Sequence, residues 1–288
     1  NQLVLDLANP KVQDYVFSVV DNILKENPGV AYFKWDCNSP ITNIYSPYLR
    51  QNQGNLYVDY VRGLYNVLHR IAAKYPHVPM MLCSGGGARC DYEALKYFTE
   101  FWCSDNTDPF ERIYIQWSLS KFFPAKTMGS HVTNWNKNTS VKFRTDVCSS
   151  CKLGFDIDLK SLSADDYKFV QQAVKNYNDM KPIILDGDQY RLVSPYEGSH
   201  CAVNYVSKDK QRAVLFAYDL HPRYKEPVLN LKLQGLDPTL TYNVNEINLA
   251  DGQEGLSGSF TGDYLMKIGL PLFSPVDGSS RVLELTAM

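Results

Sequence analysis

The sequence predicts an α/β chain in two parts: a partial (β/α)8 barrel over residues 1–185, with about five strands and their helices, then an antiparallel β-sandwich over residues 186–288. Two observations carry this expectation. As far as residue 185, short apolar runs alternate with amphipathic stretches, the pattern of βα units on a parallel sheet. After Pro182 the runs are short, β-rich and punctuated by Gly, Pro, Asn and Asp, with no helical period between them. A length of 288 residues suffices for two domains but does not by itself choose between one and two.

The elements follow in order. Asn9-Pro10 reads as an N-cap with proline at the first helical position, after which Val12, Val16, Val19 and Ile23 share a helical face. Val30 to Phe33 reads as a buried strand ending at Lys34-Trp35-Asp36. Tyr57 to Tyr75 places Val61, Leu64, Leu68 and Ile71 at helical spacing, and Met80 to Cys83 is the next strand. Asp91 starts a short helix, and Phe101-Trp102-Cys103 is a third strand. Asp108-Pro109 opens a helix through about Phe123, Thr127 to Val132 is a fourth strand, and Leu153 to Ile157 a fifth. The capping box Ser163-Ala164-Asp165-Asp166 begins the last helix. The boundary falls near Asp186-Gly187-Asp188. Strands are then expected at Tyr190–Leu192, Ala202–Val206, Ala213–Tyr218, Val228–Leu233 and Val282–Leu285.

Composition narrows the function. Lys and Arg number 29 against 31 Asp and Glu, so no global basic field exists to gather nucleic acid. Twenty Tyr, 13 Phe and 4 Trp suit sugar faces as well as ordinary cores. The seven cysteines follow no zinc or disulfide-framework spacing, and Cys148-x-x-Cys151 has no paired second motif. No run of about 18 apolar residues is present to span a membrane. The chain opens on Asn1 and enters mid-structure at Leu3–Leu7, so a signal peptide could lie in an absent N-terminal region. Cytoplasmic, periplasmic and secreted locations all stay open.

In a parallel barrel the chemistry sits at the C-terminal strand ends. The first such end, Lys34-Trp35-Asp36-Cys37-Asn38, puts a charged pair after four apolar residues. A carboxylate there would be poorly hydrated, and Lys34, two residues away on the same side, would hold it ionised; a structural salt bridge is the competing reading. The second, Cys83-Ser84-Gly85-Gly86-Gly87-Ala88-Arg89-Cys90-Asp91, has three glycines that let backbone approach a ligand, but lacks the nucleotide-binding spacings. Asp91 is better explained as a helix cap. The third end offers Asp105 and Asp108. Asp108 precedes Pro109 and has a capping explanation, whereas Asp105 leaves the strand earlier and would face the barrel mouth. The fourth carries His131, more commonly a structural histidine, and Trp135, an aromatic that could pack on a sugar. Asn138-Thr139-Ser140 is a formal glycosylation sequon. Two carboxylates on separate strands, one beside a lysine, are the minimal equipment for glycoside hydrolysis: one acid protonated, the other ionised.

The run Tyr32–Asn38, the stretch Cys83-Ser84-Gly85-Gly86-x-x-Arg89-x-Asp91, and Trp102–Asp108 with Arg112 and Gln116 together resemble the α-galactosidases of glycoside hydrolase family 36. The likeness continues through His131-Val132, Phe143-Arg144, Leu153–Asp156 and Gly187-Asp188-x-Tyr190-Arg191-Leu192. It implies a (β/α)8 barrel with a smaller C-terminal β domain and cleavage of terminal α-galactose with retention, without metal or nucleotide cofactor. Carried over residue by residue, it implies Asp36 as nucleophile and Asp105 as general acid/base. Lys34, Trp35, Asn38, Cys83, Gly85 and Gly86 match positions lining the galactose pocket, with Arg89 counted among the substrate-binding residues. The expected carboxylate separation is roughly 5 to 5.5 Å. The expected partner is an oligosaccharide, with no nucleic acid and no membrane, and homo-oligomerisation of the full-length protein is left open.

Two departures accompany the likeness. The family's barrel begins upstream, where an acidic pair and an arginine bind substrate, so a polypeptide of this sequence alone is expected to be inactive or poorly folded, its open sheet edge exposed. Asn134-Trp135-Asn136-Lys137-Asn138 stands where many members carry a Pro-Asn-His-Gln-like stretch, which leaves leaving-group preference open. The alternatives to hydrolysis are galactosyl transfer of the raffinose-synthase type, action on N-acetylgalactosamine, and a non-catalytic carbohydrate-binding module.

Overall fold

Asn9 begins the first helix, α1 (Pro10–Glu26), as its sequence requires: the side chain accepts from Lys11 N at 3.0 Å and Pro10 takes the position where no amide donor is needed. This is a computed structural model that describes residues 3–86, 88–135, 138–226 and 230–288. The chain divides into two compact units, Asn1–Asp105 and Asn106–Met288.

In the first unit α1 is followed by β1 (Phe33–Asp36), α2 (Leu56–Lys74), β2 (Met80–Cys83) and β3 (Glu100–Trp102). The three strands are parallel, with Asp36 opposite Cys83 and Leu82 opposite Phe101. β2 is buried throughout, as expected of a strand with neighbours on both sides. The strand expected to run buried from Val30 begins only at Phe33, and β1 alternates between half-buried and exposed because it is the edge of the sheet and has only β2 beside it. The helices are tied by Asp21, whose carboxylate takes Lys25 and Lys74 at 2.6 and 2.5 Å and the Tyr75 hydroxyl at 2.6 Å; these donors hold it well below the usual carboxylate range. The helix expected from Asp91 is a single 3-10 turn, Ala94–Lys96: Asp91 accepts from Ala94 N at 2.8 Å, but the chain must re-enter the sheet at Glu100.

The second unit continues with α3 (Pro109–Leu119), β4 (Met128–Thr133), α4 (Val141–Ser149), β5 (Lys152–Asp156) and α5 (Ala164–Asp186). β4 and β5 are parallel, with His131 opposite Gly154. These complete the five strands of the partial barrel, three in the first unit and two in the second. Helix α4 had no predictive signal, because it is buried on every side and so shows no 3.6-residue polarity period. Pro182 does not end α5, which runs on to Asp186 with the Gly187 amide bonded to Ile183 O. So close to the helix end, proline forfeits a single backbone bond.

The rest is antiparallel: β6 (Asp188–Val193), β7 (His200–Val206), β8 (Arg212–Asp219), β9 (Thr241–Ile247), β10 (Ser257–Thr261), the short α6 (Gly262–Lys267) and β11 (Ser279–Ala287). They form one six-stranded sheet in the order β10-β9-β11-β8-β7-β6. On one face Ala202, Leu215, Tyr242, Val244, Leu283 and Leu285 pack against segments carrying Leu231, Leu233, Leu236, Leu265, Leu270 and Leu272. The sandwich's second layer is thus made of loop and short-helix residues among the described ones. On the other face Tyr205 donates to Ser150 O at 2.7 Å and Tyr218 to Asp146 O at 3.2 Å. Of the strand expected at Val228–Leu233, Val228 and Leu229 lie outside the described residues, and Leu231 makes an isolated bridge to Leu270. β9 and β10 were not anticipated. The seven cysteines are free thiols. Among the described residues no helix is long and apolar enough to cross a membrane.

Candidate active site

Alternation along β1 sends residues 34 and 36 to one face and 33 and 35 to the other. The parallel register then lines up side chains across three strands. Asp36 lies beside Cys83, and since Leu82 is opposite Phe101, Cys83 is level with Trp102. One residue pair below come Lys34, Met81 and Glu100. Met81, Cys83 and Trp102 are buried and form a small apolar floor. Asp36 and Lys34 stand at its exposed margin.

Polar contacts join this layer to the next loop. Lys34 Nζ lies 5.5 Å from the centroid of the Trp102 ring, within cation–π range. The Trp102 indole Nε1 donates to Asp105 Oδ1 at 2.8 Å. Burial pushes the Cys83 thiol up; the Lys34 charge pulls it down, and Asp36, by charge and as a hydrogen-bond acceptor, pushes it up again. A thiol held protonated is a donor to Asp36. Lys34, Asp36, Cys83, Trp102 and Asp105 are therefore one connected group. Asp36 is exposed rather than poorly hydrated, as expected from sequence, because the edge strand leaves its end open, and Lys34 spends its charge on the Trp102 ring.

The glycine turn does what a side-chain-bearing residue could not. Gly85 and Gly86 have φ of +58° and +104°, left-handed values that favour glycine, and a Cβ on Gly86 would meet Ser104 Cα at 3.4 Å. The turn can thereby pass close to the loop carrying Asp105. Asn38 joins it, its Oδ1 3.9 Å from where a Gly85 Cβ would be. Gly87 lies outside the described residues.

Trp35 and Arg89 stand outside this connected group. Trp35 alternates with Lys34 and Asp36 along β1 and lines a cleft of about 530 Å³ with Val16, Tyr60 and Leu64, and Asp36, Asn38 and Arg89 line the same cleft. Arg89 is occupied with backbone: its guanidinium donates to Cys37 O, to Ser84 Oγ and, at 3.1 Å, to Ser39 O. It shapes the loop after β1. Asp108 caps α3, accepting from Phe110 N at 2.9 Å and Glu111 N at 3.3 Å, while Asp105 serves no helix. In the second unit His131 packs so closely on Gly154 that a Cβ there would meet its ring at 2.4 Å, and Trp135 is exposed. The residue that sequence reasoning missed is Trp102. Strand parity with Asp36 and Cys83 was the available signal.

Known proteins match along the whole length. Residues 1–187 match the family described as Melibiase, and residues 200–285 the glycosyl hydrolase family 36 C-terminal domain. Alpha-galactosidase 1 of Pediococcus pentosaceus is 35% identical across all of this chain and 39% of its own length. Alpha-galactosidase AgaA of Geobacillus stearothermophilus is 34% identical over 94% of this chain and 37% of its own. The chain thus spans about two fifths of these relatives. The crystal structure of the family 36 α-galactosidase AgaB from Geobacillus stearothermophilus superposes with a TM-score of 0.91 at 33% identity, covering 100% of this chain and 39% of that one. A substituted AgaA in complex with raffinose also gives 0.91, at 32% identity, covering 100% of this chain and 40% of that one.

Proposed function

This chain belongs to the melibiase family of glycoside hydrolases, and we propose that it carries the nucleophile and the acid/base of a retaining exo-α-galactosidase acting on raffinose-type oligosaccharides. The observation that supports it most is the connected group at these strand ends: Asp36 accepting from Cys83 and Asp105 accepting from Trp102, with the Lys34 charge beside both Cys83 and the Trp102 ring. Asp36 ends β1, and Asp105 follows β3, two strands along the same sheet. The retaining reaction requires their carboxyls to stand roughly 5 to 5.5 Å apart.

In the first half-reaction Asp36 attacks the anomeric carbon as the glycosidic bond breaks, and the proton of Asp105 passes to the departing oxygen. In the second, water attacks the same carbon, its proton returns to Asp105, and the bond to Asp36 breaks. Cys83, Gly85, Gly86, Asn38 and Lys34 line the galactose, Trp35 lines the cleft that Asp36 and Asn38 also line, and Arg89 holds the loop after β1. The catalytic barrel part is placed before Asp186-Gly187-Asp188 and the C-terminal domain after it, supported by the end of α5 at Asp186 and the family matches on either side.

The test is made in the full-length polypeptide carrying this sequence. Asp36→Ala with azide and an activated aryl α-galactoside is expected to yield β-galactosyl azide, and Asp105→Ala the α anomer. An α-azide from Asp36→Ala, or rescue of neither variant, defeats the assignment.

A further inference from the structure

Asp105 is exposed and lies on a loop, yet general-acid catalysis needs its proton aimed at one oxygen of the substrate. What holds it is Trp102, which is only 7% exposed and packed with Met81 and Cys83. An indole nitrogen can only donate, and at 2.8 Å it does so to Oδ1. Of the two oxygens of a protonated carboxyl, the carbonyl oxygen is the better acceptor, so this N–H favours the proton on the other one. When Asp105 is protonated, the proton therefore resides on Oδ2.

We propose that Trp102 is a positioning residue for the acid/base, confining the transferable proton to Asp105 Oδ2, and that Lys34, seated over the indole, couples this to the state of Asp36. The proposal rests on the reading of Asp105 given above. The coupling has a direction. A cation over the ring face draws electron density from the indole and makes its N–H a stronger donor. Lys34 lies two residues from Asp36 on the same strand face, so the Asp36 charge offsets part of its field. Once Asp36 is bonded to the sugar its charge is gone, Lys34 acts undiluted on the ring, and the strengthened N–H favours the carboxylate form of Asp105 needed to accept the proton of water.

The bond could instead merely hold the loop, and leaving-group dependence separates the two roles. Trp102→Phe keeps the ring and its packing but removes the N–H. In the full-length polypeptide it is expected to lower kcat/KM for raffinose by about 100-fold, the lower end of general-acid contributions. For a 2,4-dinitrophenyl α-galactoside, whose leaving group needs no proton, the expected loss is under about 3-fold. Should Trp102→Phe fold poorly, replacing the indole by its benzothiophene analogue, sulfur for N–H in the same shape, makes the same measurement. Equal losses on both substrates, or none on raffinose, overturn the proposal. Asp105→Ala is the control: if it too lacks the leaving-group signature, the acid/base assignment itself has failed, whereas a signature in Asp105→Ala alone removes only the role of Trp102.

Discussion

Asp146 on α4 is fully buried and gathers donors from three places in the second unit: Lys142 Nζ of its own helix at 2.5 Å, Asn248 Nδ2 after β9 at 2.7 Å, and Ser280 Oγ of β11 at 2.7 Å. Replacing it with alanine strands the Lys142 ammonium, whose side chain is 15% exposed and keeps only the Ser280 carbonyl at 3.0 Å and a longer contact to its hydroxyl. Breaking such a pair from one side costs about 3–5 kcal/mol. With a urea slope of about 3 kcal/mol/M, the unfolding midpoint should drop by about 1 to 1.7 M. Removing both charges with well-packed apolar residues, Asp146→Leu with Lys142→Met, should cost less than Asp146→Ala alone, since no uncompensated charge remains. Urea titration followed by circular dichroism measures both. A midpoint shift under about 0.3 M for Asp146→Ala, or a double variant no better than the single, refutes the reasoning.

Gly86→Ala forces a side chain onto a φ of +104° against Ser104, and should cost about 1–3 kcal/mol in a thermal or urea melt while also lowering turnover. The Cys90 thiol is pushed up to about 12, chiefly by burial, so only about 1 in 10,000 is thiolate at pH 8; peptide mapping after brief iodoacetamide treatment should find it unmodified until the protein is denatured. Asp219 accepts from Ser279 Oγ at 2.5 Å, from Ser274 N and from His200 Nδ1 at 2.8 Å, but burial outweighs these and raises it above 3.8. The native state then holds this proton where the unfolded chain has released it, so its contribution to stability falls as pH rises just above 3.8. Asp219→Asn should flatten that part of the stability profile, measured by urea midpoints at stepped pH.

What could be read from the sequence was whatever had a local cause. Asn9, Asp108 and Ser163 cap the helices they were expected to cap, because capping needs only neighbouring residues. The strand ends carrying Asp36, Cys83 and Trp102 were found because apolar runs stop abruptly at polar residues. Helix α4 was invisible since its environment is buried on all sides, and β9, Thr-Tyr-Asn-Val-Asn-Glu-Ile, because its inward positions include Glu246, which is buried with Arg281 as its partner at 3.1 Å. Trp35 was placed with the sugar by family likeness alone; strand alternation turns it from Asp36, yet the two line one cleft with Asn38 and Arg89. The occupation of Arg89 by the carbonyls of Cys37 and Ser39 depends on two loops meeting, which no spacing encodes.

Exposure at the site decides what Lys34 can be worth. Charges separated by 4 Å interact by about 1 kcal/mol in water and about 4 kcal/mol at an effective dielectric of 20. Lys34 and Asp36 are both exposed at the open edge strand, so in the free protein their mutual attraction is small, and Lys34→Met should change stability by less than about 1 kcal/mol. A sugar ring laid over Asp36, Cys83 and Trp102 expels that water and moves the same charges toward the stronger limit while Asp36 still carries the charge with which it attacks. The full effect of Lys34 is thus realised only in the bound and transition states. Lys34→Met in the full-length polypeptide is therefore expected to reduce kcat/KM by about 100-fold or more, roughly the 3 kcal/mol between the two limits, with little change in unfolding midpoint. Parallel losses of stability and activity would show instead that Lys34 is a structural partner of Trp102, and that the bound state gains nothing from its charge.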